Sequence, residues 1–231
     1  MNIALIPAAG TGSRIGGPRA KQFPELNGTP ILIHTLRRFE ECECIDQIIV
    51  VLPASELLGF LDLADKYHLK KITKAVAGGA ERQKSVFNGI HAINNSNAKI
   101  VVVHDGVRPF VTEQIIHDVI QAAQKYGAAI AGLPAVDTVK QVDRTADGAL
   151  ITATLPRERV VMAQTPQGFR YDVLKKAFDE ATADGFTGTD EASLVERSGH
   201  EVAVVMGSPS NIKITTPADM ELAEFYLKSA S

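Results

Sequence analysis

Short apolar runs alternate with longer amphipathic stretches along the first half of the chain. Ile3 to Pro7 is apolar and ends in Ala-Ala-Gly, the pattern of a buried parallel strand leading into a loop. From Ile31 to Phe39 the spacing becomes helical, with Leu32, Thr35, Leu36 and Phe39 on one face. The alternation goes on to predict strands at Ile45 to Leu52 (ended by Pro53), Thr73 to Ala77, Ile100 to Val103 and Ala128 to Leu133. Helices fall between them at Ser55 to Tyr67, from about Ser85 to Ile93, and at Thr112 to Tyr126. Ser55 and Thr112 are the expected N-caps, and Glu113 and Gln114 occupy the first turn of the last helix. Strand and helix in this order predict an α/β fold: a mostly parallel sheet with helices on both faces.

Three of these strands end in glycine-rich or charged text: AAGTGSR, AGGAERQKS and HDGVRPF. Parallel sheets bind ligands beyond the carboxyl ends of their strands, so the three loops are expected at one crevice.

The pattern changes between Val136 and Val161. Polar and apolar residues alternate around Asp147-Gly148, which reads as a β-hairpin arm at about 136–161. An arm that carries so little core pattern either packs on a second subunit or stands alone at the surface. Beyond it, helices are expected at Val173 to Ala183, Asp190 to Ser198 and Pro217 to Leu227, the last capped by Thr216. Strands are expected at Val202 to Val205 and Asn211 to Thr215. With 231 residues and no internal repeat, residues 1–231 fit one large α/β domain.

Composition narrows the function classes. The 27 acidic residues outnumber the 24 Lys and Arg, so no basic excess argues for nucleic acid. No apolar run approaches the roughly 20 residues that span a bilayer, and the N-terminus shows no leader pattern. Cys42 and Cys44 read as reduced thiols, because a disulfide across one residue is strained; this suits a cytoplasmic chain. The six histidines have no metal-ligand spacing, and no nucleophile triad is supported.

The candidate chemistry lies in the loops. In Ala8-Ala9-Gly10-Thr11-Gly12-Ser13-Arg14 the two glycines let backbone N–H groups approach phosphate oxygens. No Gly-Lys-Ser/Thr follows, and Ile15 stands where the dinucleotide fingerprint has its third glycine. A lone G-x-G is most often a tight turn; Arg14 and Lys21 turn the reading toward a triphosphate whose leaving group gains charge. Gly78-Gly79 and Ser85 read as a turn and N-cap, or as contacts to a base. Asp105 is placed to meet Mg²⁺ or a ribose hydroxyl and Arg108 a second phosphate; the plainer alternative is a structural Asp–Arg pair. Thr189-Asp190-Glu191 is a helix N-terminus by pattern, and Lys213 points either to solvent or into the crevice.

AAGTGSR with the following AKQF, then GGAERQKSV, VHDGVRPF, DTVK, TPQGF, TDEASLVE and NIKITTPADMELAE occur in order over nearly the whole chain. Together they resemble the 2-C-methyl-D-erythritol 4-phosphate cytidylyltransferases of non-mevalonate isoprenoid synthesis. The resemblance implies a Rossmann-like nucleotidyltransferase fold, homodimers formed through the hairpin arm, and a need for Mg²⁺. It implies CTP and a polyol phosphate as substrates, with pyrophosphate released. Carried over, Ala8, Ala9, Gly10, Thr11 and Gly12 hold the CTP phosphates, while Arg14 and Lys21 stabilise the transition state. Gly79 and Ser85 contact cytosine, and Asp105 serves ribose, metal and substrate. Arg157 and Lys213 grip the acceptor phosphate; Arg108, Thr138, Thr165 and Thr189 complete its pocket, with Thr138 and Arg157 serving the partner's site. Ala80, Lys84 and Ser210 depart from residues common in the family. Ribitol 5-phosphate cytidylyltransferases share much of the pattern and are the alternative acceptor class. A non-catalytic nucleotide-binding module is the alternative outside enzymes.

Overall fold

The computed structural model describes residues 1–10, 24–94 and 97–229. Its centre is a seven-stranded sheet built from β1 (Asn2–Pro7), β4 (Gln47–Leu52), β5 (Ile72–Ala77), β6 (Ile100–Val103), β7 (Ala128–Pro134), β10 (Val161–Arg170) and β11 (Ala203–Met206), in the order β11-β7-β10-β6-β1-β4-β5. Six strands run one way. β10 is antiparallel to both neighbours, β6 and β7.

The strands are apolar on both sides because both sides are covered. Successive side chains alternate, so Ala4 and Ile6 face one layer while Ile3 and Leu5 face the other. The first layer holds α1 (Ile31–Glu41), α2 (Leu57–Lys66) and α4 (Glu113–Tyr126), which contribute Leu36, Phe39, Phe60, Ile116 and Val119. The second holds α3 (Arg82–His91), α5 (Tyr171–Ala183) and α6 (Glu191–Arg197), which contribute Val86, Ile90, Leu174, Phe178 and Val195. Each such fully buried side chain contributes about 1.5–3 kcal/mol of transfer free energy. A smaller cluster joins Leu26, Ile31, Phe110, Ile214 and Ala223, docking α7 (Pro217–Ser229) near the end of the chain. Thr112 caps α4 and Thr216 caps α7, as the sequence predicts.

Four expectations change. Ser55 lies in a short 3-10 turn, Ala54–Glu56, and bonds to Glu56 instead of capping α2. The helix expected from Ser85 begins at Arg82, which places Ser85 inside it. Asn211 to Thr215 is irregular and belongs to no strand. The Thr165 to Phe169 stretch, with no element expected, lies in β10 near the middle of the sheet. Its Pro166 and two glutamines hide the apolar signal, and Gly168 is needed because a Cβ there would sit 2.6 Å from Val119. An Asn27-Gly28 turn, both residues at positive φ, also links two-residue strands β2 (Glu25–Leu26) and β3 (Thr29–Pro30).

The arm is present. β8 (Val139–Thr145) and β9 (Gly148–Leu155) pair antiparallel as their own two-stranded sheet. Val136, Val142, Leu150 and Ile151 are exposed on it and at its base. Cys42 and Cys44 are free thiols with sulfurs 2.8 Å apart. Among the described residues no helix is long and apolar enough to cross a membrane.

Candidate active site

The carboxyl ends of β1, β4, β5 and β6 lie along one edge of the sheet, and backbone bonds extend that edge into the loops. The Ala8 N–H donates to Val51 O (2.7 Å), Gly78 to Leu52 O (2.8 Å) and His104 to Leu5 O (3.0 Å). The described parts of the three loops, Ala8 to Gly10 in the first, therefore converge as expected. Two glycines permit it. A Cβ on Gly78 would overlap Ala9 Cβ and lie 2.9 Å from Ser85 Oγ, while one on Gly106 would lie 3.1 Å from Ala8 Cβ. Gly79 N–H donates to Ser85 Oγ (3.1 Å), which donates in turn to Glu81 O (3.0 Å). Ser85 thus braces this loop from within α3 and is not its N-cap.

Asp105 stands just beyond β6, with 8% of its side chain exposed. Its Oδ1 accepts from Arg82 Nε (3.3 Å) and Nη2 (3.2 Å). Its Oδ2 accepts from Lys213 Nζ (3.0 Å) and Arg108 Nε (3.4 Å). Burial opposes its charge, but Arg82, Lys213 and Arg108 together hold the carboxyl well below its ordinary range. Arg82 also forks onto Glu191, with Nη1 to Oε1 at 2.6 Å and Nη2 to Oε2 at 3.0 Å. Burial pushes the Glu191 carboxyl up and Arg82 counteracts it. Burial likewise works against the charge on Arg82, yet Glu191 and Asp105 outweigh it and raise its pKa. Removing one member of a buried pair strands the other's charge, at a general cost of about 3–5 kcal/mol.

Buried polar side chains fix the positions of these groups. Thr165 Oγ1, on β10, accepts from the Asp105 N–H (3.1 Å). Asn211 donates to Thr165 O (2.8 Å) and Gln164 Oε1 (3.3 Å), and Gln164 donates to Ser208 O (2.9 Å). Arg108 Nη1 donates to Asn211 O (2.7 Å), and Ile214 N–H donates to Val107 O (3.0 Å). Lys213 is held between those two anchors. Although it is in no strand, it reaches the crevice, with 40% of its side chain exposed. Asp190 caps α6, accepting from Ser193 N–H (2.9 Å) and from Gln167 Nε2 (2.8 Å). Thr189, immediately before it, is exposed.

His104 is fully buried. Its Nε2 donates to Arg108 O (3.0 Å), and its ring packs 5.0 Å from that of Phe39. Burial pulls its pKa down to about 4, so it is neutral and structural near pH 7.

The structure therefore brings together Ala8, Ala9, Gly79, Ser85, Asp105, Arg108, Thr165 and Lys213, with exposed Gly10 at the crevice rim. Thr138 and Arg157 stand at the exposed base of the arm, where Arg157 Nη1 donates to Val136 O (2.8 Å). Among the described residues neither joins the ion pairs around Asp105. Thr11, Gly12, Arg14 and Lys21 lie outside the described residues. Sequence reasoning gave no site role to Arg82, Gln164 or Asn211, and read Glu191 only as an acid at a helix N-terminus. The signal for Arg82 and Glu191 was an arginine inside one suspect loop and an acid just after a cap in another.

Parallel strands that deliver glycine-lined and cationic loops to one edge make this an α/β protein built to bind a phosphorylated ligand there, and the comparisons with known proteins narrow that class to the nucleotidyltransferases. A family model described as IspD: 2-C-methyl-D-erythritol 4-phosphate cytidylyltransferase matches residues 2–229. The protein of that name from Acidobacterium capsulatum is 52% identical, with 98% of this chain and 97% of the relative covered. The one from Syntrophus aciditrophicus is 50% identical, with 98% and 95% covered. Among solved structures, the 4-diphosphocytidyl-2C-methyl-D-erythritol synthase of Anaerococcus prevotii matches with a TM-score of 0.86 at 34% identity, covering 98% of this chain and 96% of its own. The chain belongs to the 2-C-methyl-D-erythritol 4-phosphate cytidylyltransferase family.

Proposed function

We propose that the chain transfers CMP from CTP to 2-C-methyl-D-erythritol 4-phosphate. The products are pyrophosphate and 4-diphosphocytidyl-2-C-methyl-D-erythritol, in non-mevalonate isoprenoid synthesis. The observation that carries this is the buried Asp105 ringed by Arg82, Arg108 and Lys213 at the loop edge shared with Ala8 and Gly79. Three cations against the carboxylates of Asp105 and Glu191 leave one positive charge to meet phosphate.

The acceptor's phosphate monoester is already anionic near neutral pH, so its oxygen attacks the α-phosphorus of CTP without a general base. A neutral His104, sealed from solvent, fits that absence. Catalysis then consists of positioning and charge stabilisation. Lys213 and Arg108 turn from Asp105 to the acceptor phosphate, and Arg14 and Lys21 stabilise charge at the α-phosphorus and on the departing pyrophosphate. Among the described residues no three acidic, His or Cys side chains cluster to hold a metal. Both Asp105 oxygens carry cations, so Mg²⁺ would be held mostly by the triphosphate, with Asp105 Oδ2 joining only where Lys213 leaves it. Bound there, Mg²⁺ would neutralise charge on the triphosphate.

The exposed Val142, Leu150 and Ile151 support a homodimer through the arm, in which Thr138 and Arg157 serve the partner's crevice. Free thiols and the absence of a long apolar helix among the described residues support a cytoplasmic setting.

Pyrophosphate release, measured across the four nucleoside triphosphates with each acceptor, tests the reading. Release is expected with CTP and methylerythritol phosphate. A preference for ribitol 5-phosphate would transfer the assignment to that acceptor, and no release with either would leave a nucleotide-binding module.

A further inference from the structure

We propose that Arg82, clamped by Glu191, is a positioning residue for the transfer: it fixes the Oδ1 edge of Asp105 and leaves the Oδ2 edge to partners that exchange with substrate. The inference rests on the transfer reading above and assigns parts to two residues which that reading leaves without one.

The three cations divide by oxygen. Arg82 takes Oδ1 through two nitrogens, at 3.2 and 3.3 Å. Lys213 and Arg108 share Oδ2, at 3.0 and 3.4 Å. Arg82 and Lys213 differ in how firmly they are held, while Arg108 is anchored through Nη1 to Asn211 O (2.7 Å). Arg82 is bound twice to Glu191, a side chain with 1% exposure. Around that clamp α3 is sewn to the α6 segment. Gly188 N–H donates to Gln83 Oε1 (2.9 Å) and Gln83 Nε2 donates to Phe186 O (2.9 Å). Gln167 ties the start of α6 to β10, accepting from Ala192 N–H (3.2 Å) and donating to Asp190. Lys213, 40% exposed against 34% for Arg82, differs in its anchoring: its ammonium is paired with Asp105 through one bond on a flexible four-carbon stem.

An anionic acceptor draws Lys213 toward its own oxygens, and Arg108, whose long 3.4 Å bond to Oδ2 is its weaker one, turns Nε to it while Nη1 stays on Asn211 O. Asp105 is then left in a buried site that disfavours its charge, with one permanent counter-ion. Only a planar fork can span Asp105 and Glu191 together, which is why arginine suits this place and lysine does not. Glu191 in turn keeps Arg82 from following the others onto phosphate.

The test uses the full chain with Arg82→Met, Arg82→Lys and Glu191→Gln. Turnover, KM for both substrates, CTP affinity by calorimetry and melting temperature are measured for each. Arg82→Met is expected to lower turnover about 100-fold while CTP affinity stays within about threefold. Arg82→Lys should regain less than about a tenth of the lost rate. Glu191→Gln, which preserves shape but leaves Arg82 with one carboxylate, should lower the melting temperature while still folding, and should lower turnover per folded molecule about tenfold. Should Arg82→Met fail to fold, the other two decide on the same criteria. Wild-type turnover in Arg82→Lys or Glu191→Gln overturns the proposal, as does a parallel loss of turnover and CTP affinity matching the loss of folded protein. A wild type that releases no pyrophosphate overturns the transfer reading and this one together; an active wild type with indifferent variants overturns this one alone.

Discussion

At the scale of residues the site consists of charges placed where burial would ordinarily forbid them. Asp105 keeps its charge because three cations surround it, and His104 next to it is neutral because none of its contacts favours a proton strongly enough to offset burial. The second fact has a measurable consequence. The unfolded chain binds a proton on His104 below its ordinary 6.5, whereas the folded chain resists until about 4. Stability from this group is complete above pH 6.5 and is lost as pH falls toward 4, by up to about 3 kcal/mol. Asp105 acts in the same direction, but below its ordinary 3.8. Denaturant unfolding at pH 7.5 and pH 5 should show His104→Gln losing less stability between the two than the wild type does; equal losses would refute a neutral buried imidazole. The sequence made Asp105 and Arg108 visible because they follow a strand; the apolar neighbours of Lys213 left solvent and crevice both open, and the family resemblance supplied its role. Arg82 and Glu191 were not visible as a pair. They are 109 positions apart, and only the packing of α3 against α6 joins them.

At the scale of elements, the parallel half of the sheet was legible because apolar runs of four to eight residues closed by glycine or proline have few other readings. β10 was not. It brings Gln164, Thr165 and Gln167 into buried positions to brace Asp105 and α6, so the residues that serve the site are the ones that blur its pattern. The segment holding Lys213 fails as a strand for a related reason: its backbone and the Asn211 side chain bond to loop, strand-end and side-chain groups in place of a ladder. The arm was legible from its alternation alone, and its apolar side chains remain exposed in one chain. Leu150→Glu with Ile151→Glu should leave the melting temperature of one chain almost unchanged, since exposed substitutions shift stability by about 0.5 kcal/mol or less. The same pair should convert a dimer to a monomer in sedimentation equilibrium and lower activity with it. A wild type that sediments as a monomer, or a double variant that stays dimeric, would contradict the proposed arm interface.

At the scale of the molecule, two apolar layers fix a sheet whose one edge gathers the loops and the charges around Asp105. The small residues Ala8, Gly78 and Gly106 account for how closely the described parts of the loops at this edge pack. The central claim is that this edge is where an acceptor phosphate is held beside CTP, with Lys213 as the cation that passes from Asp105 to the phosphate. The most direct measurement is pyrophosphate release by Lys213→Ala at saturating CTP, alongside calorimetric titration of CTP alone. Turnover is expected to fall about 100-fold with CTP affinity held within about threefold. Release at the wild-type rate would contradict the account.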